Sequence, residues 1–284
     1  MSNTAERQPI GPMTDSEFAD FQRITVEMTG IRLSDKKRAM LTNRLAKRLI
    51  ALGIDTYQDY LYLLKNENSA EKTDFINSVT TNLTYFYREP HHFEFFSNTV
   101  LPTVAANSTP NSPIRIWSAG CSYGQEPYTL AMAISESDVI APVRVLCTDI
   151  DSATVQSVQK GCYKKEYLRG LSNEQIRKWF VQRTDGTWQA IPELRSLLIC
   201  KQLNLFNDWP IRPGVEVIMC RNVLIYFNAV DQLKLVRRFA QFQEKGAFLF
   251  LGHSENIKGI DSNYRRVDNT VYERFNPEGR RTIL

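Results

Sequence analysis

Ile114-Arg115-Ile116-Trp117-Ser118-Ala119-Gly120-Cys121-Ser122-Tyr123-Gly124-Gln125-Glu126-Pro127 is the stretch that decides the fold. The apolar run from Ile114 to Ser118 reads as a buried strand, and Gln125-Glu126-Pro127 opens a helix that continues to about Glu136. Between them, Gly120 and Gly124 allow the backbone to come close to a ligand. The loop is not GxGxxG, so on its own it serves equally well as a cofactor loop or as an ordinary strand-to-helix turn.

Downstream the same alternation repeats. Strands are expected over Val143 to Thr148, Val215 to Cys220, Gly246 to Leu251 and Tyr264 to Phe275, with helices over Ser152 to Lys160 and Ala229 to Phe242. That order predicts an α/β domain over 114–276 with a mainly parallel sheet and helices on both faces. Residues 161–203 break the rhythm. A capping-box pattern at Ser172 and Gln175 starts a helix that ends in Trp179 and Phe180, expected core residues. Short strands over Thr187 to Ile191 and Leu197 to Leu203 follow an Asp185-Gly186 turn, so the segment reads as a small β-containing insertion.

Upstream the pattern is helical. Thr14 and Glu17 form a capping-box pattern before Phe18, Phe21, Ile24 and Met28, which recur in steps of three and four. Further helices are expected over Asp35 to Leu52, ending at Gly53, from near Thr56, and over Glu71 to Val79. Residues 13–80 are therefore a small all-helical domain. Residues 81–113 form a linker holding a polar-aromatic stretch, a helix from Pro90 to about Leu101 and a loop from Ala105 to Pro113. Residues 1–12 and 277–284 read as tails.

With 284 residues the chain is long enough for about two domains. Hydrophobic residues at 43% and charged residues at 23% exclude a wholly disordered chain. No apolar run reaches the ~20 residues of a membrane helix, and the first twelve residues carry no secretory apolar core. Five scattered cysteines without a CxxC pair, and only three histidines, point to reduced cytosolic thiols and to no metal site. A net charge of +4 is too small to argue for nucleic acid. The charge is uneven, however: between Arg32 and Arg48 seven basic residues face one acid, Asp35. In the helix there, Leu41, Leu45, Leu49 and Leu52 make a core stripe, and Lys37, Arg44, Arg48 and, further round, Lys47 lie along its shoulder. The plain reading of that shoulder is a solvated face.

In a parallel sheet, ligands bind beyond the carboxyl ends of the strands. The second strand ends in Cys147-Thr148-Asp149-Ile150-Asp151, where an acid can hold a ribose diol or cap the next helix; Asp151 is expected to cap and Asp149 to bind. The third motif, Met219 to Phe227, runs an apolar strand into Arg221-Asn222. A structural strand end does not require that arginine, whose charge is costly to bury unpaired.

Together these segments resemble S-adenosylmethionine-dependent methyltransferases. More narrowly, they resemble the chemotaxis receptor methyltransferases, the protein-glutamate O-methyltransferases that modify transmembrane chemoreceptors. The resemblance rests on Thr80-Thr81-Asn82-Leu83-Thr84 through Arg88, on Trp117 through Tyr128, on Thr148 through Asp151, on Cys220 through Phe227 and on Gly252-His253-Ser254-Glu255. It covers roughly residues 15 to 275, in order. It implies a Rossmann-like sheet and a cofactor held by Asn82, Thr84, Arg88, Glu126, Asp149, Asn204, Leu205, Arg221 and Asn222. Tyr226 would lie near the transferred methyl, and with it Arg88 would serve catalysis by orientation and cofactor contact, not by activating the nucleophile. The basic shoulder of Lys37, Arg44, Lys47 and Arg48 would then meet the acidic methylation helices of the receptor through exposed pairs, each worth ~0.2–1 kcal/mol. The family usually carries Thr and Glu where this chain has Tyr123 and Gln125; cofactor binding is expected to survive both changes. Some members also grip a carboxyl-terminal receptor tether on the inserted sheet through a longer, Gly-rich turn. Here Arg183-Thr184-Asp185-Gly186-Thr187 is compact, and recognition without the tether is expected.

The chemistry suits these residue types. A carboxylate acceptor is a nucleophile at neutral pH and a sulfonium donor carries its own leaving group, so neither a metal nor a general base is required. The loop of the Asn-Pro-Pro-Tyr type, common in amine methylation, is missing. Two competing functions are a non-catalytic module that binds the cofactor or S-adenosylhomocysteine, favoured by Tyr123 and Gln125, and a nucleic-acid methyltransferase, disfavoured by the charge and by the missing loop. The expected setting is cytoplasmic, as a monomer that neither enters a membrane nor binds nucleic acid.

Overall fold

The computed structural model describes residues 10–109, 112–257 and 263–275. The chain divides into two compact units, residues 1–81 and 82–284. Residues 1–9 of the expected first tail, and all of the second, lie outside the described residues.

The first unit is helical throughout. In α1 (Asp15–Thr29) the capping box forms: the Glu17 amide donates to Thr14 Oγ1 at 3.2 Å and the Thr14 amide to Glu17 Oε2 at 2.8 Å. A 3₁₀ turn, Asp35–Lys37, precedes α2 (Arg38–Leu52), so the expected second helix starts as a tighter turn. The left-handed Gly53, at φ 75°, ends it. The unit is completed by α3 (Tyr57–Lys65), capped by Thr56, and α4 (Glu71–Val79). Phe21 is fully buried with its ring 6.0–6.2 Å from those of Tyr57, Tyr60 and Phe75. Leu41, Leu45 and Leu49 are fully buried. Leu52, expected to extend their stripe, is 40% exposed, because the helix ends there and the chain turns away.

In the second unit, α5 (Pro90–Phe95) passes through a π-helical turn, Phe96–Val100, into α6 (Leu101–Ala106), so the helix expected to stop at Leu101 runs one turn further. The elements that follow are β1 (Ile114–Ala119), α7 (Gln125–Ser135), β2 (Val143–Asp149), α8 (Ser152–Lys160), β3 (Cys162–Tyr163), α9 (Asn173–Trp179), β4 (Phe180–Gln182), β5 (Trp188–Ala190), α10 (Pro192–Ser196), β6 (Leu198–Gln202), β7 (Val217–Cys220), α11 (Ala229–Phe242), β8 (Phe248–Leu251), β9 (Tyr264–Asp268) and β10 (Val271–Arg274). Seven strands form one sheet in the order β6-β2-β1-β7-β8-β10-β9, parallel from β6 to β8 and antiparallel beyond. The second sheet, β3-β5-β4, is the inserted antiparallel piece.

Two expectations about strands are also corrected. Leu198–Gln202 does not belong to the insertion; it pairs in parallel with β2 and forms the edge of the main sheet. The single strand expected over Tyr264 to Phe275 is a hairpin. Thr270, at φ 53°, turns the chain back although no glycine marks the turn.

Side chains alternate across the sheet with the period of two that strands impose. Ile114, Ile116, Val217, Met219, Phe248 and Phe250 face one core, shared with α5 to α7. Trp117, Ala119, Ile218, Cys220, Leu249 and Leu251 face the other, shared with α11 and Trp209. Both faces are covered, which is why these strands read as continuous apolar runs.

Candidate active site

Strand order reverses at β1, which leads outward to β2 on one side and to β7 on the other. Open parallel sheets bind ligands at such a switch point, beyond the carboxyl ends of the strands. The three motifs singled out in the sequence arrive there together: β1 ends at Ala119, β2 at Asp149 and β7 at Cys220.

The loop after β1 is folded tightly. Gly120, Ser122 and Gly124 have φ of 89°, 49° and 93°, and a Cβ on Gly120 would lie 2.5 Å from Val223 Cγ2. Ser122 bridges two of the expected residues: its amide donates to Asp149 Oδ2 at 2.8 Å and its hydroxyl to Asn82 Oδ1 at 3.2 Å. Asn82 Nδ2 donates in turn to Asp151 Oδ2 at 3.0 Å. Asp151 caps α8 as expected, accepting from the amides of Ala153 and Thr154 at 2.9 and 3.2 Å.

Asp149 is buried, and burial pushes its carboxyl up to about 6 against the backbone amides of Asp151 and Ser122, which pull it down. Those amides meet its oxygens singly, Asp151 N at Oδ1 (2.9 Å) and Ser122 N at Oδ2 (2.8 Å). A carboxylate offers about four acceptor sites, so capacity remains on this one for a pair of hydroxyls. That acceptor set fits a vicinal diol such as a ribose carries. Asn204 and Leu205 follow β6 just after Leu203, whose amide donates to the Asp149 carbonyl at 2.9 Å. The Asn204 side chain accepts from Phe206 N at 3.0 Å, and the Leu205 carbonyl accepts from Trp209 Nε1 at 3.2 Å.

On the other side of β1, Arg221 is buried and fully engaged. Its Nη1 meets Glu126 Oε2 at 3.0 Å, its Nη2 donates to the Arg88 carbonyl and lies 3.3 Å from Glu89 Oε2, and its Nε donates to His92 Nδ1 at 2.9 Å. Its guanidinium also lies 5.1 Å from the Phe93 ring centroid. Glu126 accepts from Ser118 Oγ at 2.7 Å; burial raises its carboxyl above the ordinary value despite Arg221. The arginine that looked out of place at a strand end is thus the centre of a buried ionic cluster.

Two members of that cluster were not expected. Glu89, left-handed at φ 59°, accepts from His253 Nδ1 at 2.8 Å and from Asn222 Nδ2 at 3.3 Å. Burial pushes its carboxyl up, but Arg221, His253 and Asn222 outweigh it and hold the group down at about 2. His92 is held low, at about 4, by burial and by Arg221, so it is neutral. Its Nδ1 accepts from Arg221, which leaves Nε2–H to face the Asn269 carbonyl and Thr270 Oγ1, both at 3.0 Å. In the sequence the only signal for either residue was position, Glu89 before a helix-opening proline and His92 inside the first turn.

Arg88 Nη1 donates to the Leu83 carbonyl at 2.6 Å, closing the segment that also carries the half-buried Thr84. Tyr226 lies in a 3₁₀ turn, Leu224–Tyr226. Burial raises its phenol, Arg88 opposes this, and Asp149 is also within electrostatic reach. Of the expected residues of the second unit, Asn82, Glu126, Asp149, Arg221 and Asn222 thus stand at or are bonded to the tips of β1, β2 and β7, while Asn204 and Leu205 follow β6.

The basic shoulder of α2 is different. Arg48 grips Glu71 in a two-pronged pair, Nε to Oε1 at 2.8 Å and Nη2 to Oε2 at 2.6 Å, and reaches Asp74 at 2.7 Å. Tyr60 donates to the same buried Glu71 at 2.7 Å. Arg44 donates to the carbonyls of Ser78 and Thr80 at the end of α4. Lys37 reaches Thr81 Oγ1 at 3.2 Å, and Lys47 is exposed. Two of the four residues expected to meet an acceptor thus tie α2 to α4.

Among the described residues no group of three or more His, Cys, Asp or Glu side chains could hold a metal, and no helix is long and apolar enough to cross a membrane. None of the five cysteines forms a disulfide.

Comparison with known proteins points to one family. Residues 82–273 match a family model described as the CheR methyltransferase, SAM binding domain, and residues 16–80 match the CheR methyltransferase, all-alpha domain. The chain is 36% identical over 268 residues to the chemotaxis protein methyltransferase of Escherichia coli (strain K12), covering 92% of this chain and 91% of that one. It is 34% identical over 255 residues to the chemotaxis protein methyltransferase of Borreliella burgdorferi, covering 87% and 90%.

Proposed function

The chain belongs to the CheR methyltransferase family, and on that premise we propose that it transfers methyl from S-adenosylmethionine to glutamate side chains of chemotaxis receptors, giving γ-glutamyl methyl esters. The observation that supports this reading is the convergence on the switch point of Asp149 at the tip of β2 and of the Glu126–Arg221 ion pair at the tips of β1 and β7, with Tyr226 within electrostatic reach of Arg88 and Asp149. The sulfonium of the bound cofactor supplies an electrophilic methyl group.

The chain's own residues would bind, orient and exclude water. Asp149 would accept the ribose hydroxyls, and Asn204 and Leu205 would line the adjoining strand tip. Arg221, Glu126 and Glu89 compensate one another's charge, so the cluster can hold a shape without placing a free cation on the acceptor. That matters because a carboxylate loses its charge as it is methylated. A cation bound tightly to it would stabilise the ground state as much as the transition state. Arg88 and Tyr226 are assigned to orientation, and in-line placement of this kind can be worth ~7–11 kcal/mol. Shielding from water favours a step in which opposite charges disappear.

The acceptors are proposed to be the cytoplasmic methylation helices of the receptors, met by exposed lysines such as Lys47. Arg44 and Arg48 set the frame of that face. The turn in the inserted sheet is short, with Arg183 N donating to the Thr187 carbonyl at 2.8 Å and Thr187 N to Asp185 Oδ1 at 3.0 Å. A turn this tight supports recognition without a receptor tether. The test is mass spectrometry of a receptor cytoplasmic fragment incubated with enzyme and cofactor. A one-methyl gain on glutamate-bearing peptides, lost when those glutamates are changed to glutamine, is expected. Methyl on any other residue type refutes the reading.

A further inference from the structure

The Gly252-His253-Ser254-Glu255 motif follows β8 and contributes no side chain to the cofactor set assigned above. Its last residue is nevertheless 4% exposed, and its carboxylate points at backbone rather than at a cation. Glu255 Oε2 accepts from the amides of Gly252 at 2.6 Å and Asn222 at 2.8 Å, and Oε1 accepts from Ile225 N at 3.1 Å. Among the described residues no Lys or Arg forms an ion pair with it.

Two of the three amides it receives, those of Asn222 and Ile225, belong to the turn that carries Asn222 at one end and Tyr226 at the other. That turn needs outside help. Asn222 is left-handed at φ 59°, and Val223, at the cap position of the Leu224–Tyr226 turn, provides no side-chain hydrogen bond. Orphan amides at the start of a helical turn attract a carboxylate, and backbone N–H groups converging on one anion make a rigid nest. Gly252 is fitted to the same contact, since a Cβ there would lie 2.3 Å from Asn222 Nδ2 and 2.8 Å from Asn222 N.

We propose that Glu255 is a positioning residue: it caps the Asn222–Tyr226 turn from the loop after β8 and so sets where the Asn222 and Tyr226 side chains stand. The Tyr226 half of this rests on the methyl-transfer reading; the Asn222 half rests only on cofactor binding.

The experiment compares Glu255→Gln, Tyr226→Phe and the double variant in methyl transfer, and measures S-adenosylhomocysteine affinity by calorimetry. Glu255→Gln keeps the shape but replaces one of the two acceptor oxygens by a donor NH2 facing an amide. It should lower kcat on the order of tenfold to a hundredfold, with little change in acceptor KM and a several-fold weaker affinity for S-adenosylhomocysteine. In the double variant the kcat losses should not multiply. Should Glu255→Gln fail to fold, Gly252→Ala displaces the same turn with the carboxylate kept, and the same pattern is expected. Unchanged kcat and affinity, or losses that multiply with Tyr226→Phe, overturn the proposal. If the wild type methylates no glutamate yet binds S-adenosylhomocysteine, the methyl-transfer reading fails, and the calorimetry still decides whether Glu255 positions Asn222.

Discussion

Lowering the pH through 6 should release the cofactor product, and Asp149 is the reason. Burial raises its carboxyl from an ordinary 3.8 to about 6. For a carboxyl this shift opposes folding. Below pH 3.8 both folded and unfolded forms are protonated and nothing is lost; between 3.8 and about 6 the unfolded form ionises first; above 6 the full cost of about 3 kcal/mol is present. Hydroxyl donors on the free acceptor sites relieve part of that cost, so binding and ionisation are linked. One unit below 6 only about a tenth of the carboxyl is ionised, and affinity for S-adenosylhomocysteine should fall about tenfold. Calorimetry between pH 5 and 8 should show a flat Kd above about 7 that weakens progressively below 6. Asp149→Asn loses a charge-assisted acceptor worth about 1.5–3 kcal/mol, roughly a 10- to 150-fold loss, and should remove the pH dependence. A wild-type Kd that is flat down to pH 5, or a variant that keeps the slope, would refute the assignment.

Three further outcomes follow from the geometry. Arg48→Ala leaves Glu71 buried beside Tyr60 without its cation and should destabilise the helical unit by about 3 kcal/mol, read by urea denaturation, whereas replacing Arg48 and Glu71 together by Met and Gln should recover most of the loss. Gly120→Ala forces a side chain into a left-handed position 2.5 Å from Val223 and should abolish S-adenosylhomocysteine binding, while the circular dichroism of the helices persists. Lys47→Ala should raise acceptor KM about 1.4- to 5-fold, and added salt should raise it further with little effect on cofactor affinity, in initial-rate assays.

Much of the fold could be read from residue order because local and global preferences agree. The α1 and α9 capping boxes, the α2 stop at Gly53 and the apolar β1, β2 and β7 runs each have a local cause. The exceptions are set by tertiary context. Leu198–Gln202 is short and only partly buried, so nothing in its composition says which sheet it joins. The Thr270 turn carries no glycine, and its conformation is one that sequence patterns disfavour. At the site, Asp149 and Arg221 announced themselves as charges ending apolar strands, whereas Glu89 and His92 acquire their role only from Arg221, more than a hundred residues away. The α2 shoulder shows the opposite failure: periodicity found the face but could not reveal that Glu71 and α4 carbonyls already occupy two of its arginines.

The most direct test of carboxylate methylation is the alkali stability of the product. Receptor-containing membranes incubated with enzyme and methyl-labelled S-adenosylmethionine should acquire label that mild base releases as methanol, because an ester hydrolyses where an N-methyl bond does not. Label that survives base, or none incorporated by an enzyme that binds S-adenosylhomocysteine, would contradict the account.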